Sequence, residues 1–182
     1  MATAAPLHPI SFEQYEEFES PEGFRDELIH GRIVVSPEPK PLHSDVAENL
    51  HGLLKAASGK KYKVGQRMNL RFPNVQSMPS PDVFVIDKKE WKRARAENVY
   101  PEGAKVLLAV EVISPSNRPG PLAAKVDTYL KHDLQAWVAD PVSQEVKVHR
   151  RGERTRTASV KNESVLRWNG KPVPLAKIFR LP

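Results

Sequence analysis

One apolar segment constrains the fold of this chain more than any other. Residues 105–113 read KVLLAVEVI, so that seven of the eight residues from 106 to 113 are apolar and Glu111 is the exception. A near-continuous run of β-branched and aliphatic residues predicts a strand in the middle of a sheet, with both of its faces covered. The same segment therefore also identifies Glu111 as a carboxylate in a place where a charge is costly.

Helical and extended patterns alternate on either side of this strand. Ser11 and Gln14 form a capping box that predicts a short first helix. The other predicted elements are a hairpin over 26–35, helices over 42–57, 87–96 and 122–131, and strands over 62–72, 82–86, 135–139, 145–150, 155–160 and 165–168. This order predicts one α/β domain over residues 1–182, with a mixed central β-sheet flanked by helices. Residues 1–10 are predicted to be a loose N-terminal segment.

Composition excludes several classes of function. The apolar share of 40% and the charged share of 27% are ordinary for a globular protein. No apolar run approaches the ~18 residues that cross a bilayer, and the first residues lack a signal-peptide pattern. The absence of cysteine excludes disulfides, thiolate catalysis and Cys-ligated metals. We expect a cytoplasmic protein without a membrane partner.

The net charge of +6 favours a phosphate-rich partner. Lys and Arg side chains that neutralise a nucleic-acid backbone release counterions, which drives binding. Many basic proteins bind no nucleic acid, so charge alone does not decide the partner.

Glu111 is the most informative single residue. A lone carboxylate in a buried strand costs several kcal/mol unless a cation or hydrogen-bond donors compensate for it. A structural ion pair with Arg or Lys would compensate, and so would a position at the strand end that reaches water. A bound metal ion is the third interpretation.

Asp82 and Lys125 give the metal interpretation its partners. Asp82 follows Pro81 at the head of an apolar strand, where a turn aspartate is the ordinary explanation. Two carboxylates on adjacent strands would hold one hard divalent cation, with water and a substrate phosphate completing its shell. Lys125 lies in the first turns of the helix after the Glu111 strand and could stabilise charge on that phosphate. A solvated helix lysine is the ordinary alternative.

Glu27 and His43 are weaker candidates for the same pocket. Glu27 lies in the hairpin and His43 opens the second helix. Either could be a metal ligand or a substrate contact, although a helix-terminal histidine is more often on the surface. The chain has no phosphate-binding loop, no GxGxxG after a strand and no GxSxG elbow.

Five ordered motifs give the chain a family resemblance. They are the hairpin DELIHGRIV at 26–34, the prolines at 37 and 39 before His43, the Pro-Asp strand at 81–83, EVISPS at 111–116 with the later Lys125 and Tyr129, and AWVADP at 136–141. In this order they resemble the Uma family of restriction-endonuclease-like proteins, over residues 12–150. That family belongs to the PD-(D/E)XK nuclease superfamily.

The resemblance implies a restriction-endonuclease-like core and a nuclease site. In the superfamily a lysine lies two residues after the acidic one, where this chain has Ile113; the family has moved it to the next helix, which makes Lys125 its counterpart. By the same comparison Asp82, Glu111 and the backbone carbonyl of Ile113 would bind Mg²⁺ or Mn²⁺. The reaction would be phosphodiester hydrolysis by a metal-activated water. The loop at 118–121 and Ala136 depart from the family pattern and bear on substrate handling.

Two hypotheses follow for the function. The first is a Mg²⁺-dependent endonuclease that acts on DNA. The second is a catalytically inactive nuclease fold that binds nucleic acid or a protein partner, because the RPGP loop at 118–121 could have remodelled the cleft. A homodimer would suit a nuclease that cuts both strands of a duplex.

Overall fold

A computed structural model describes residues 9–114, 119–162 and 165–181. In these ranges the helices are α1 (Phe12–Glu16), α2 (Pro41–Ser58), α3 (Lys88–Glu97), α4 (Pro119–Lys131) and α5 (Leu175–Ile178). The strands are β1 (Phe24–Ile29), β2 (Arg32–Pro37), β3 (Tyr62–Gly65), β4 (Val83–Asp87), β5 (Val106–Val112), β6 (Gln135–Asp140), β7 (Glu145–His149), β8 (Arg156–Ser159), β9 (Val165–Trp168) and β10 (Lys171–Pro174).

A six-stranded sheet in the order β3-β4-β5-β6-β7-β8 forms the centre of the fold. The apolar strand β5 lies between β4, to which it is antiparallel, and β6, to which it is parallel. The other neighbouring pairs are antiparallel, so the sheet is mixed. This arrangement confirms the predicted α/β class with a mixed central sheet flanked by helices.

Helix α2 covers one face of the sheet. Its buried stripe of Val46, Leu50 and Leu54 packs on the side chains of Val83 and Val110. Fully burying an aliphatic side chain of this kind contributes about 1.5–3 kcal/mol, so this stripe orients the helix. The hairpin of β9 and β10 and helix α5 extend the same core.

The opposite face of the sheet carries the polar residues of interest. Phe84, Ala109 and Tyr129 pack together there beneath α4. Because side chains alternate along a strand, residues 82 and 111 fall on this second face with residues 84 and 109. Asp82 and Glu111 therefore lie on the side of the sheet that α4 and the hairpin β1–β2 cover.

The β1–β2 hairpin turns at the two residues predicted for it. His30 and Gly31 both have positive φ, 48° and 71°, as a two-residue type I′ turn requires. Leu28 is fully buried and forms a β-bridge with Met78, which holds the hairpin against the loop before β4. The strand β1 consequently runs beside the entrance to β4.

One predicted strand is shorter than expected. The alternation over 62–72 predicted a strand through Phe72, but β3 ends at Gly65. Arg67 adopts a left-handed φ of 45°, which breaks the extended chain. Leu70 and Phe72 are buried, but their backbone N–H groups donate to the carbonyls of Pro79 and Ser77 in a loop.

The remaining differences include a shifted helix start and two short elements that were not predicted. Helix α4 begins at Pro119 rather than at residue 122. Strand β10 and helix α5 were not predicted, since their short segments carry little periodicity. The predicted loose N-terminal segment falls mostly on residues 1–8, outside the described residues. No helix within the described ranges is long and apolar enough to cross a membrane.

Candidate active site

Asp82 lies immediately before β4 and faces β5. Val83 pairs with Val110 in the antiparallel register, and continuing this register by one residue sets Asp82 opposite Glu111. Opposed residues of antiparallel strands direct their side chains to the same face. Asp82 is only 2% exposed, and its Oδ2 accepts a hydrogen bond of 2.8 Å from the backbone N–H of Val112. The strand pairing thus fixes this carboxylate beside the end of β5.

Glu111 is held by two side chains from α4. Its Oε2 lies 2.6 Å from Lys125 Nζ, and its Oε1 accepts a 2.7 Å hydrogen bond from the hydroxyl of Tyr129. Lys125 and Tyr129 are four residues apart, so one face of the helix presents both groups to the strand. Glu111 is 4% exposed and Lys125 is 6% exposed. The charge that breaks the apolar run is therefore compensated on both oxygens.

Glu27 brings the hairpin into the same cluster. Its Oε1 lies 2.7 Å from Lys125 Nζ and also accepts a 2.6 Å hydrogen bond from the backbone N–H of Ser80. The Lys125 ammonium consequently bridges two carboxylates, one from β1 and one from β5. This contact connects the hairpin, the central strand and α4 at one point.

His43 and Arg25 contact Asp82 from two other elements. The His43 Nε2 atom lies 3.1 Å from Asp82 Oδ2, and Arg25 Nη1 lies 3.4 Å from Asp82 Oδ1. His43 is buried, and its Nδ1 has no hydrogen-bond partner in the described part of the chain. Arg25 keeps about a third of its side chain exposed. Both groups are placed to orient Asp82.

The electrostatics differ between the two carboxylates. Burial raises the pKa of Glu111 to about 7, and the neighbouring Lys125 ammonium offsets this only in part. Burial would also raise the pKa of Asp82, but the hydrogen bond and charge of His43, with Lys125 and Arg25, outweigh it and hold that pKa below its usual value. Burial works against the charged form of Lys125, and the carboxylates of Glu111 and Glu27 overcome it, so that its pKa is raised. At neutral pH Asp82 is ionised and Lys125 is protonated.

These side chains open onto one cavity of about 220 Å³. Its described lining includes all of the charged groups above except His43, and the walls come from the β1–β2 hairpin and the first turns of α4. The lining residues are Phe24, Arg25, Glu27, Val34, Val35, Ser36, Pro37, Pro39, Asp82, Glu111, Ser114, Pro121, Leu122 and Lys125. The cluster is therefore accessible to a small group that enters from this side.

Asp82 and Glu111 are the two residues of the cluster that could hold a hard divalent cation. Asp82 and Glu111 supply carboxylate oxygens, and Ile113 follows β5 directly, with its N–H donated to Ala139 O at 2.7 Å. Within the described ranges no group of three or more His, Asp or Glu side chains is arranged to hold a metal. Mg²⁺ accepts one or two carboxylates and keeps several waters, so a two-carboxylate site suits it better than Zn²⁺ or Ca²⁺.

Comparison with known proteins agrees with this architecture. Residues 12–174 match the Uma2 family, whose description is "Putative restriction endonuclease". The match spans most of the chain. The protein belongs to the Uma2 family. The resemblance predicted from the motifs is thereby confirmed, and family membership supports a nuclease-like function with a nucleic-acid substrate.

A solved structure shows the same fold. The crystal structure of "a putative nuclease belonging to DUF820" from Anabaena variabilis ATCC 29413 superposes with a TM-score of 0.75 at 19% sequence identity. The alignment covers 94% of this chain and 98% of that chain. No curated protein is significantly similar in sequence. At this identity the likeness establishes the fold and not the chemistry.

The five side chains predicted for the site lie in one cluster: Glu27, His43, Asp82, Glu111 and Lys125. The sequence-based prediction gave Tyr129 no role beyond a family match, and it missed Arg25 and the N–H of Ser80. The spacing of Tyr129 four residues after Lys125 was the available signal for the first. Nothing in the sequence distinguishes Arg25 from other hairpin arginines. Residues 115–118 of the predicted EVISPS motif and RPGP loop lie outside the described residues.

Proposed function

We propose that the protein is a divalent-metal-dependent endonuclease that hydrolyses phosphodiester bonds of DNA. One observation carries this proposal: two buried carboxylates, Asp82 and Glu111, occupy facing positions on adjacent strands, and an ammonium lies 2.6 Å from one of them. Two oxygen ligands and a cation beside an accessible cavity are the parts that phosphoryl-group hydrolysis needs. The basic charge of the chain suits a polyanionic substrate.

Each residue has a distinct role in this proposal. Asp82, Glu111 and the carbonyl oxygen of Ile113 would hold Mg²⁺ or Mn²⁺. The bound cation would lower the pKa of a water and polarise the phosphoryl oxygen. Lys125 stabilises the negative charge that develops on the phosphate as one P–O bond forms to the water oxygen and the P–O bond to a sugar oxygen breaks.

The remaining residues position those that react. Glu27 fixes the ammonium of Lys125 through the 2.7 Å contact, and Tyr129 fixes Glu111 through its hydroxyl. His43 orients Asp82 rather than the substrate, since Asp82 is its hydrogen-bond partner. Supporting contacts of this kind typically change metal affinity or activity by about 10- to 100-fold when removed.

Hydrolysis of labelled DNA by purified protein tests the proposal. A labelled oligonucleotide, single-stranded and annealed, is incubated with MgCl₂, MnCl₂ or EDTA. We expect metal-dependent cleavage by the wild type and a loss of about 100-fold or more in Asp82→Asn. Asp127→Asn, on the exposed side of α4, is the matched control and should cleave like the wild type. Cleavage that persists in Asp82→Asn would identify a contaminating nuclease and sink the proposal.

A second candidate function rests on the Lys125 contacts. The ammonium contacts both Glu111 and Glu27 at 2.6–2.7 Å, so the same contacts also form a structural ion network. The fold would then bind nucleic acid or a protein partner without hydrolysis. Calorimetry with Mn²⁺ separates the two: binding that is lost in Glu111→Gln favours the enzyme, and absence of binding by the wild type favours the binding module.

The homodimer stays a prediction within this proposal. Two-fold symmetry would set two sites on the two strands of a duplex. Sedimentation velocity at several protein concentrations measures the oligomeric state directly.

A further inference from the structure

Among the described residues, the charged cluster is nearly buried and opens onto the cavity. Asp82, Glu111 and Lys125 are 2%, 4% and 6% exposed, and the cavity above them measures about 220 Å³. Pockets that enclose a drug-sized ligand measure about 300–1,000 Å³, so this cavity has room for one sugar–phosphate unit rather than a larger body. The hairpin β1–β2 and the start of α4 form its walls.

The hairpin contributes two side chains to the lining of this cavity, a guanidinium and an aromatic ring. These two groups can bind the phosphate and the base of a nucleotide. Arg25 lines the cavity with a guanidinium that is 30% exposed and only weakly engaged, at 3.4 Å from Asp82. Phe24, the first residue of β1, also lines the cavity and is 44% exposed. A guanidinium binds phosphate oxygens, and an exposed ring offers a surface on which a base stacks.

Stacking on a protein side chain requires a base that is not already paired and stacked. In a duplex the faces of the bases are covered by their neighbours, whereas single strands and extruded nucleotides expose them. The pairing of an exposed ring with a partly free guanidinium, beside a narrow cavity, therefore suits an unpaired strand better than a duplex.

We propose that this cavity takes an unpaired DNA strand, with Arg25 on its phosphate and Phe24 stacked on an adjacent base. The proposal rests on the proposed function for the identity of the reacting bond, but strand binding is measurable without turnover. Arg25 and Phe24 then determine substrate preference: single strands, overhangs and frayed ends are better substrates than closed duplex.

Fluorescence anisotropy in EDTA tests the binding. A labelled 20-nucleotide DNA, single-stranded or annealed to its complement, is titrated with wild type, Phe24→Ala and Phe18→Ala. Phe18 is a matched control because it is also an exposed phenylalanine but does not line the cavity. We expect the wild type to bind the single strand more tightly, and Phe24→Ala to weaken that binding by about 5- to 100-fold, as loss of one stacked base does. Phe18→Ala should bind like the wild type.

Three results would overturn the inference. They are equal or tighter binding of the duplex, equal binding by Phe24→Ala and Phe18→Ala, and binding of neither DNA. Sedimentation of Phe24→Ala gives a further check, because a change in oligomeric state would mean that Phe24 contacts a second copy of the chain. Circular dichroism melting verifies that both variants are folded.

The same oligonucleotides with MnCl₂ separate this inference from the proposed function. Cleavage confined to the single strand and overhangs supports both. Cleavage of closed duplex at an equal rate overturns the strand preference and leaves the nuclease assignment intact. Single-strand binding without any cleavage overturns the nuclease assignment and leaves the strand preference intact.

Discussion

Lys125 is the residue on which the candidate site depends most. Its ammonium contacts carboxylates from β1 and β5 and is itself anchored in α4, so three elements meet at one charge. Desolvating such groups costs several kcal/mol for each ion, and mutual attraction compensates only when the contacts are close. The two distances of 2.7 and 2.6 Å meet that condition. Removing the Lys125 ammonium should therefore lower the free energy of unfolding by more than the loss of an exposed salt bridge does.

Replacing Lys125 tests this directly. Lys125→Met keeps the aliphatic stem but leaves Glu111 and Glu27 facing one another without a cation. We expect a loss of about 3–5 kcal/mol in the free energy of unfolding at pH 8, measured by urea denaturation. Lys131→Met is the control on the same helix, because its pair with Asp127 is exposed and contributes roughly 0–1 kcal/mol. Equal losses in the two variants would contradict a buried ion network.

The residues of the candidate site differ in how well the sequence alone predicts their place in it. Glu111 is conspicuous because it is charged within an apolar run, and its burial follows from that run. Asp82 looks like a turn residue until the strand register sets it opposite Glu111. The partner of Glu27 is a lysine 98 positions along the chain, and no local pattern encodes a contact of that range. The family resemblance supplied Lys125, where periodicity alone would have left it as a surface residue.

At the scale of elements, the β1–β2 hairpin is encoded by its turn. His30 and Gly31 both adopt positive φ, and a Cβ on Gly31 would lie 2.5 Å from Cβ of Pro9. Gly31 is therefore required for both conformation and space. The hairpin carries Glu27, Arg25 and Phe24, so its geometry controls one wall of the cavity.

Two glycine substitutions with opposite expected effects on stability test the requirement for Gly31. Gly31→Ala should destabilise the protein by about 1 kcal/mol or more, because of the positive φ and the steric overlap. Gly52→Ala should stabilise it by about 0.5–1 kcal/mol, since Gly52 is an exposed residue within α2 with no atom within 4 Å of an added Cβ. Thermal melts measured by circular dichroism give both values. Stabilisation by Gly31→Ala would show that the turn is not constrained.

Other elements were only partly predictable from sequence. Apolar alternation over 62–72 encodes burial, and Leu70 and Phe72 are indeed buried, but as parts of a loop. Their backbone groups bond to residues 79 and 77, which are themselves in a loop before β4. The alternation pattern does not distinguish a strand from a buried loop that finds such partners. The long run of β5 is different, because seven apolar residues within eight positions, three of them valine and one isoleucine, favour a central strand.

At the scale of the whole molecule, the order and direction of the strands place the site residues next to one another. The N-terminal end of β4 and the C-terminal end of β5 meet because these strands are antiparallel neighbours, and the parallel step from β5 to β6 returns α4 over that same end. Element order alone allows several strand orders, so the sequence predicted the class of fold but not this meeting point. The pairing of Asp82 with Glu111 was a hypothesis from the two residues, and the strand register gives its geometry.

Metal binding should stabilise the whole molecule and should do so in a pH-dependent way. Burial raises the pKa of Glu111 to about 7, so the folded protein retains a proton there below that pH. A cation that binds the Glu111 carboxylate must displace a proton at pH 6, whereas at pH 8 the carboxylate is already ionised. Asp82, whose pKa is lowered, is ionised at both pH values and adds no competition. Affinity for Mn²⁺ should therefore rise with pH across this range.

Thermal melting with and without MnCl₂ measures this linkage. At free Mn²⁺ about 100-fold above the dissociation constant, the gain is about 2.7 kcal/mol, and each kcal/mol raises the melting temperature of a chain of this size by about 2–4 °C. We expect a larger rise at pH 8 than at pH 6, reversed by EDTA and absent in Glu111→Gln. Glu90→Gln removes another buried carboxylate, one paired with Arg93 away from the cavity, and should keep the full Mn²⁺ response. A response in Glu111→Gln equal to that of the wild type would exclude Glu111 as a ligand, because the same cation would then be held elsewhere.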